Sequence, residues 1–171
     1  VLGRVNRLLA GEAKAIATAY ERVDRLKPAH EGKTVLVGNP VREAIVRLGE
    51  MPFPAFDEVA PLKLLVTGGS QGATILGEVV PDGLGELDES LRHRLQVVQQ
   101  CRPDDIERVR ETYRSLGIPA ELSTYLEDMA EKLGECHLMI GRAGASTIAE
   151  LTAAGRPAIL VPLPIATDDH Q

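Results

Sequence analysis

Two glycine-bearing turns carry the hydroxyls and backbone N–H groups that phosphate chemistry needs. The first is GGSQGAT (68–74), placed directly after the apolar run LLVT. It has no lysine, so it is not the GxxxxGK[ST] loop of an NTP-hydrolysing site, and its glycines do not fall at the GxGxxG spacing of a dinucleotide fold. Gly68 and Gly69 permit close backbone approach, Ser70 offers a hydroxyl with Gln71 beside it, and Gly72 stands near a helix start where N–H groups can meet an anion. The same residues also suit a tight strand-to-helix turn with no ligand. The second turn is GRAGASTIAELTAAG (141–155), where Ser146 and Thr147 sit at the expected start of a helix and Glu150 follows three residues after Thr147. Two readings stand side by side. Thr147-x-x-Glu150 fits a capping box, worth about 1 kcal/mol. It also fits a nucleotide clamp, with phosphate at the helix end and a carboxylate accepting hydrogen bonds from ribose hydroxyls.

Two further stretches add polar groups. PLPIATDDHQ (162–171) places Asp168, Asp169, His170 and Gln171 after the last apolar run. Adjacent side chains on one loop seldom converge on an ion, so sugar contacts or a solvated loop fit better than a metal. GNPVR (38–42) places Arg42 one turn into a helix, as a positive charge for a phosphate or as a partner for one of the many acids. Cys101 and Cys136 are far apart and lie in no CxxC or Cys/His ligand spacing, which reads as reduced thiols, with Cys136-His137 filling a strand edge. No metal and no cofactor is expected.

The elements that must position these turns follow from periodicity. Val5, Leu9, Ala13, Ile16 and Tyr20 recur at steps of three and four, which predicts a helix through 1–20. GKTVLVGNP (32–40) reads as a short strand, and Pro40 suits the first position of a helix over 41–48. The three prolines of 49–61 mark a linker. Beyond it, strands are expected at 62–68, 95–101, 120–126, 137–142 and 157–164. Helices are expected at 72–80 (interrupted by Gly and Pro), 103–116, 127–133 and 145–154. Strands that are apolar throughout and alternate with helices predict an α/β fold, a Rossmann-like parallel sheet with helices on both faces. Ligands of such sheets sit outside the carboxyl ends of the strands. The expected organisation is an arm over 1–61 and a nucleotide-binding domain over 62–171.

Composition bounds the function. The chain has 171 residues, 44% of them apolar, 3% aromatic and 26% charged, with a formal net charge of −6. That balance argues against a nucleic-acid binder, which carries a basic patch or stripe. No stretch of about 18 apolar residues is present, so no membrane-spanning helix is expected. The chain opens without Met and stops just after a strand-like run, the pattern of a portion of a longer protein.

In order and spacing, VGNPVR, LLVTGGSQGA, YLEDMA, GRAGASTIAELTAAGRPAILVPLP and DDHQ together resemble the MurG family of bacterial N-acetylglucosaminyltransferases. The resemblance covers nearly the whole chain. It implies one half of a GT-B fold, the half that binds the donor UDP-N-acetylglucosamine. An absent N-terminal domain would hold the lipid-linked MurNAc-pentapeptide acceptor and the general base, at the cytoplasmic face of the bacterial inner membrane. It further implies that Ser70 and Gln71 meet the diphosphate and that Leu126 holds the uracil edge through its backbone. Ser146 and Thr147 would bind phosphate, Glu150 the ribose hydroxyls, His170 and Gln171 the sugar hydroxyls, and Arg42 would line the nucleotide side. Ser146 departs from the family, which often carries an apolar residue there. A sugar-nucleotide 2-epimerase of the same architecture and a non-enzymatic nucleotide- or partner-binding module are the alternatives. An NAD(P) oxidoreductase is disfavoured by the missing GxGxxG.

Overall fold

The structure is a computed structural model that describes residues 2–69 and 73–163. Ser70, Gln71, His170 and Gln171, and with them Asp168 and Asp169, lie outside the described residues. The described residues divide into two compact units, 2–40 and 41–163.

In the first unit, helix α1 (Arg4–Leu9) is followed by strand β1 (Ile16–Thr18), which pairs in parallel with β2 (Thr34–Leu36). The single helix expected through 1–20 therefore stops at Leu9. Gly11 disfavours its continuation, and β-branched Ile16 and Thr18 suit the strand, where they pair with Thr34 and Leu36. The Lys33 ammonium donates to the carbonyls of Gly11 (2.9 Å) and Ala13 (3.1 Å), which tethers the chain just beyond α1.

The second unit carries a five-stranded, all-parallel sheet. Helix α2 (Glu43–Val46) and a 3-10 turn (Arg47–Glu50) lead into it. Then come β3 (Leu62–Thr67), α3 (Thr74–Gly85), α4 (Glu89–Arg92), β4 (Leu95–Gln100), α5 (Ile106–Ser115), β5 (Ala120–Ser123), α6 (Met129–Glu135), β6 (Leu138–Arg142), α7 (Ala145–Ala154) and β7 (Ala158–Val161). The spatial order is β5-β4-β3-β6-β7. Within β3, Leu64 and Val66 face a core formed with α3 and α5, while Leu65 faces a second core formed with α2, α6 and α7. Both faces are covered, so the strands read as unbroken apolar runs rather than alternating ones. Ile106, Val109 and Tyr113 of α5, with Leu116 just beyond it, lie in or against the first core.

Helix α3 runs through Gly77 and Pro81 without the expected interruption. A Cβ on Gly77 would come 3.0 Å from Val109 Cγ2, so the glycine allows α3 to lie close on α5. The burial of Leu76, Val80 and Leu84 offsets the N–H that Pro81 lacks. The one-turn α4 was not anticipated. Helix α7 spans the residues expected of it. Its end is a Schellman motif: Gly155 adopts φ +63°, its N–H reaches the Thr152 carbonyl, and the Arg156 N–H reaches that of Leu151.

The proline-rich stretch 49–61 groups with the sheet. His137 accepts the Lys63 N–H at Nδ1 (3.0 Å) and lies 2.9 Å from the Ala55 carbonyl at Nε2, which sets the Nε2–H tautomer. Phe53 and Phe56 flank the same ring at 6.1 Å, and the Arg156 guanidinium lies 5.3 Å from the Phe53 centroid. His137 thus fills the amino end of the sheet beneath this stretch.

Strand order reverses direction between β3 and β6. From β3 the chain moves outward to β4 and β5, and from β6 to β7 on the other side. In open α/β sheets the crevice outside the carboxyl ends of two such strands is the ligand position. Here Thr67 and Gly141 are opposite partners at that crevice, and a Cβ on Gly141 would lie 2.7 Å from the Thr67 carbonyl oxygen. Glycine is required for this approach.

Candidate functional site

A cleft of about 190 Å³ opens at the switch point. Thr67 and Gly69 line it from β3, Gln100 from β4, Leu126 and Met129 from the β5–α6 region, and Thr147 and Glu150 from α7, with Arg42 at its rim. Four of the nine residues expected in the site, Arg42, Leu126, Thr147 and Glu150, are therefore brought to one cavity. Ser146 lies on the same first turn of α7 and is not part of the cavity lining.

The two sides of the cleft are tied by buried side chains. The Thr67 hydroxyl donates to Gln100 Oε1 (2.9 Å) and accepts the Gly69 N–H (3.3 Å). Gln100 Nε2 in turn donates to the Thr124 carbonyl (3.3 Å). This chain runs across the carboxyl edge from the glycine turn to the loop that carries Tyr125 and Leu126. Gly69 adopts φ +82°, a left-handed conformation that glycine reaches at no steric cost, and its N–H is held by the Thr67 hydroxyl. The sequence held one overlooked signal for this chain. Amides at the carboxyl end of an apolar strand, as in LQVVQQ, must be hydrogen-bonded to be tolerated there. Gln99 satisfies the same rule on the opposite face, accepting from the buried Tyr113 hydroxyl (2.5 Å).

Helix α7 bears on the capping-box reading of Thr147 and Glu150. The residue before the helix is Gly144, no side chain caps it, and Thr147 and Glu150 are its third and sixth residues. A capping box needs its hydroxyl at the cap itself. The capping-box reading is thus excluded. The Ser146 and Thr147 N–H groups are among the first donors of the helix, which have no intrahelical acceptor. No hydrogen bond from either is found among the described residues. Glu150 instead binds Arg42, whose Nη2 and Nε both donate to Glu150 Oε1, at 2.9 and 3.2 Å. Arg42 does not lie one turn into a helix as expected. It stands at the cap position of α2 in extended backbone, and Pro40 lies outside the helix.

Nearby arginines are already committed. Arg142 donates to the carbonyls of Val161 (3.2 Å) and Pro162 (3.0 Å) and holds the end of β7 against β6. Arg102 reaches the Thr74 hydroxyl at the start of α3 (3.4 Å). The Asp105 carboxyl there is held below the usual carboxylate range, first by the Thr74 hydroxyl and then by Arg108. Among the described residues no three His, Cys, Asp or Glu side chains gather as metal ligands. Burial pushes both Cys101 and Cys136 up to about 11, so both remain protonated thiols at neutral pH.

An open parallel sheet with a cleft at its switch point, beside a glycine-bearing loop and a helix start, defines a Rossmann-like α/β half-molecule. The chain belongs to the family described as the glycosyltransferase family 28 C-terminal domain, whose family model matches residues 63–171. Over all 171 residues it is 66% identical to the UDP-N-acetylglucosamine--N-acetylmuramyl-(pentapeptide) pyrophosphoryl-undecaprenol N-acetylglucosamine transferase of Erythrobacter litoralis, covering 43% of that protein. It is 67% identical to the protein of the same description from Novosphingobium aromaticivorans, covering 44% of it. Among solved structures, the crystal structure of Acinetobacter baumannii MurG matches 99% of the chain and 45% of its own, with a TM-score of 0.72 and 32% identity. The fold is therefore one Rossmann-like half of the GT-B architecture, and the chain spans less than half the length of the curated relatives it matches.

Proposed function

We propose that this chain is the donor-binding half of an inverting glycosyltransferase that moves N-acetylglucosamine from UDP-N-acetylglucosamine to the C4 hydroxyl of lipid-linked MurNAc-pentapeptide, in peptidoglycan synthesis. The observation that carries this reading is the convergence of the α7 start, Glu150 and Leu126 on one cleft at the switch point. The relatives' printed activity supports the choice of donor and acceptor.

In this reading the uracil edge meets the backbone at Leu126, Glu150 accepts from the ribose hydroxyls, and the diphosphate lies between the glycine turn and α7. Ser70 and Gln71 contribute from the turn, Ser146 and Thr147 from the helix, and His170 and Gln171 reach the sugar hydroxyls. As the C4 hydroxyl attacks the anomeric carbon, the leaving diphosphate gains negative charge. The start of α7 answers that charge with about half a unit of positive charge and with N–H donors already aimed. Each preorganised donor of this kind is worth roughly 3–4 kcal/mol in the transition state. Donor binding therefore needs no metal and should survive EDTA. The acceptor, the general base and the contact with the cytoplasmic membrane surface belong to the part of the protein outside this chain. No helix among the described residues is long and apolar enough to cross a membrane.

The test is a thermal-shift panel with UDP, UDP-N-acetylglucosamine, NADH and ATP. Ligand at 100 times its Kd stabilises by about 2.7 kcal/mol. Stabilisation by the two uridine nucleotides alone, unchanged by EDTA, is expected. Stabilisation by NADH instead, or by no nucleotide, would contradict the proposal.

A further inference from the structure

We propose that Arg156, at the far end of helix α7 from the cleft, strengthens the hold on an anionic ligand by cancelling the negative end of that helix. This rests on the reading that the donor diphosphate lies at the start of α7. Arg156 is only 8% exposed and makes no ion pair with a carboxylate among the described residues. Its guanidinium instead directs its donors at main-chain carbonyls: Nε at Leu133 (3.0 Å), Nη2 at Gly134 (3.1 Å) and Nη1 at Ala154 (3.2 Å). Leu133 and Gly134 belong to the last turn of α6, and Ala154 is the last residue of α7. The Phe53 ring lies against the guanidinium, its centroid 5.3 Å from Cζ. One cation thus sits on the carbonyl ends of two helices whose first turns bring Met129 and Thr147 to the cleft.

Burying a guanidinium without a carboxylate is costly, and a well-packed apolar side chain of similar volume would fill the same place at less cost. The two helices are already joined by apolar packing, since Leu133 of α6 shares a core with Leu151 and Ala154 of α7. The Schellman turn at Gly155 already closes α7. What an apolar side chain could not supply is charge. A helix carries about half a positive unit at its start and half a negative unit at its end. The ten residues of α7 put those ends about 15 Å apart. An anion at the start therefore feels the negative end through the protein, and a full positive charge on the Ala154 carbonyl more than cancels it. Lys63 and Lys132, the neighbouring cations of this end of the sheet, have no such effect, because each is paired with a glutamate.

The experiment measures the affinities of the full-length protein for uridine, UDP and inorganic diphosphate at low salt, where screening is weakest. Arg156→Met should weaken UDP and diphosphate by roughly five- to twentyfold, the size expected when a unit charge about 15 Å from an anion is removed, and leave uridine within about twofold of the wild type. Arg156→Lys keeps the charge and loses the fork, and should hold diphosphate within about threefold of the wild type. Phe53→Glu brings a carboxylate to the guanidinium without removing its hydrogen bonds. It should weaken diphosphate in the same direction, whereas the uncharged Phe53→Gln should not. This second pair decides the matter if Arg156→Met fails to fold. A merely structural Arg156 would lower uridine and UDP affinity alike and leave Phe53→Glu equal to Phe53→Gln. Either of those results, or undiminished diphosphate affinity in Arg156→Met, would overturn the role of Arg156. If the wild type binds UDP no more tightly than uridine, no diphosphate is held at α7 and the reading of the site falls instead, so the two failures are distinguishable.

Discussion

Two clefts border the sheet, nearly equal in size and unlike in chemistry, one at its carboxyl end and one toward its amino end beside α6. The carboxyl-end cleft measures about 190 Å³ and the amino-end cleft, beside Lys63, Gln96 and Lys132, about 200 Å³. At the amino end the charges satisfy one another. Lys63 pairs with Glu135 at 2.8 Å and Lys132 with Glu121 at 3.1 Å, while both ring nitrogens of neighbouring His137 are engaged. At the carboxyl end, Glu150 Oε2 and the Ser146 and Thr147 N–H groups of α7 make no hydrogen bond among the described residues. Volume does not separate the two clefts. Unspent donors and acceptors held on rigid elements do, and only the carboxyl-end cleft lies at the topological switch point.

The largest effect should come from a residue that serves both ends. Leu133 is 2% exposed, lines the carboxyl-end cleft, and sits on α6 between Lys132 and Gly134. Leu133→Ala should cost about 2–5 kcal/mol of stability, read from chemical denaturation, and should weaken UDP as well. A loss below 1 kcal/mol would show that α6 is not the shared support.

Next is Glu150→Ala. It should weaken UDP by about 1.5–3 kcal/mol, the worth of hydrogen bonds to a charged group, and leave inorganic diphosphate nearly unaffected in titration calorimetry. Equal losses for the two ligands would remove the ribose role.

The smallest effect is expected at the amino end. Lys63→Met should leave UDP affinity unchanged and cost less than about 1 kcal/mol, because both partners of its ion pair are exposed to solvent. The Glu135 carboxyl is held below its ordinary value, mainly by the Lys63 hydrogen bond. The pair's contribution is therefore present above the pKa of a free glutamate and lost as pH falls through the lowered one. The difference between Lys63→Met and wild type should shrink accordingly in melts run from pH 7 down to pH 3. A difference that grows on acidification would reverse the assignment.

The carboxyl-end elements were legible in the sequence because local signals and tertiary packing agree there. Helix α7 begins and ends where its Gly144 and Gly155 suggest, and the apolar runs of β3, β4 and β6 are strands buried on both faces. Leu126, Thr147, Glu150 and Arg42 were singled out together and line one cleft, but the ion pair between Arg42 and Glu150 was not foreseen. The two are 108 residues apart, and no local pattern says which of many acids an arginine will choose. The Thr67–Gln100–Thr124 chain was missed for a similar reason, since it runs between neighbouring strands rather than along one. The first 20 residues misled because steps of three and four among apolar residues outweighed Gly11 and the β-branched pair Ile16 and Thr18. Strand β1 depends on its partner β2, which the local periodicity does not reveal.

The central claim is that the carboxyl-end cleft binds the donor and the amino-end cleft does not. Amide hydrogen exchange of the full-length protein, with and without saturating UDP, tests it most directly. The account predicts slowed exchange at Leu126 and at the start of α7, Ala145 to Ile148, with no change from Lys132 to His137. Protection confined to 132–137, or none at the start of α7, would contradict it.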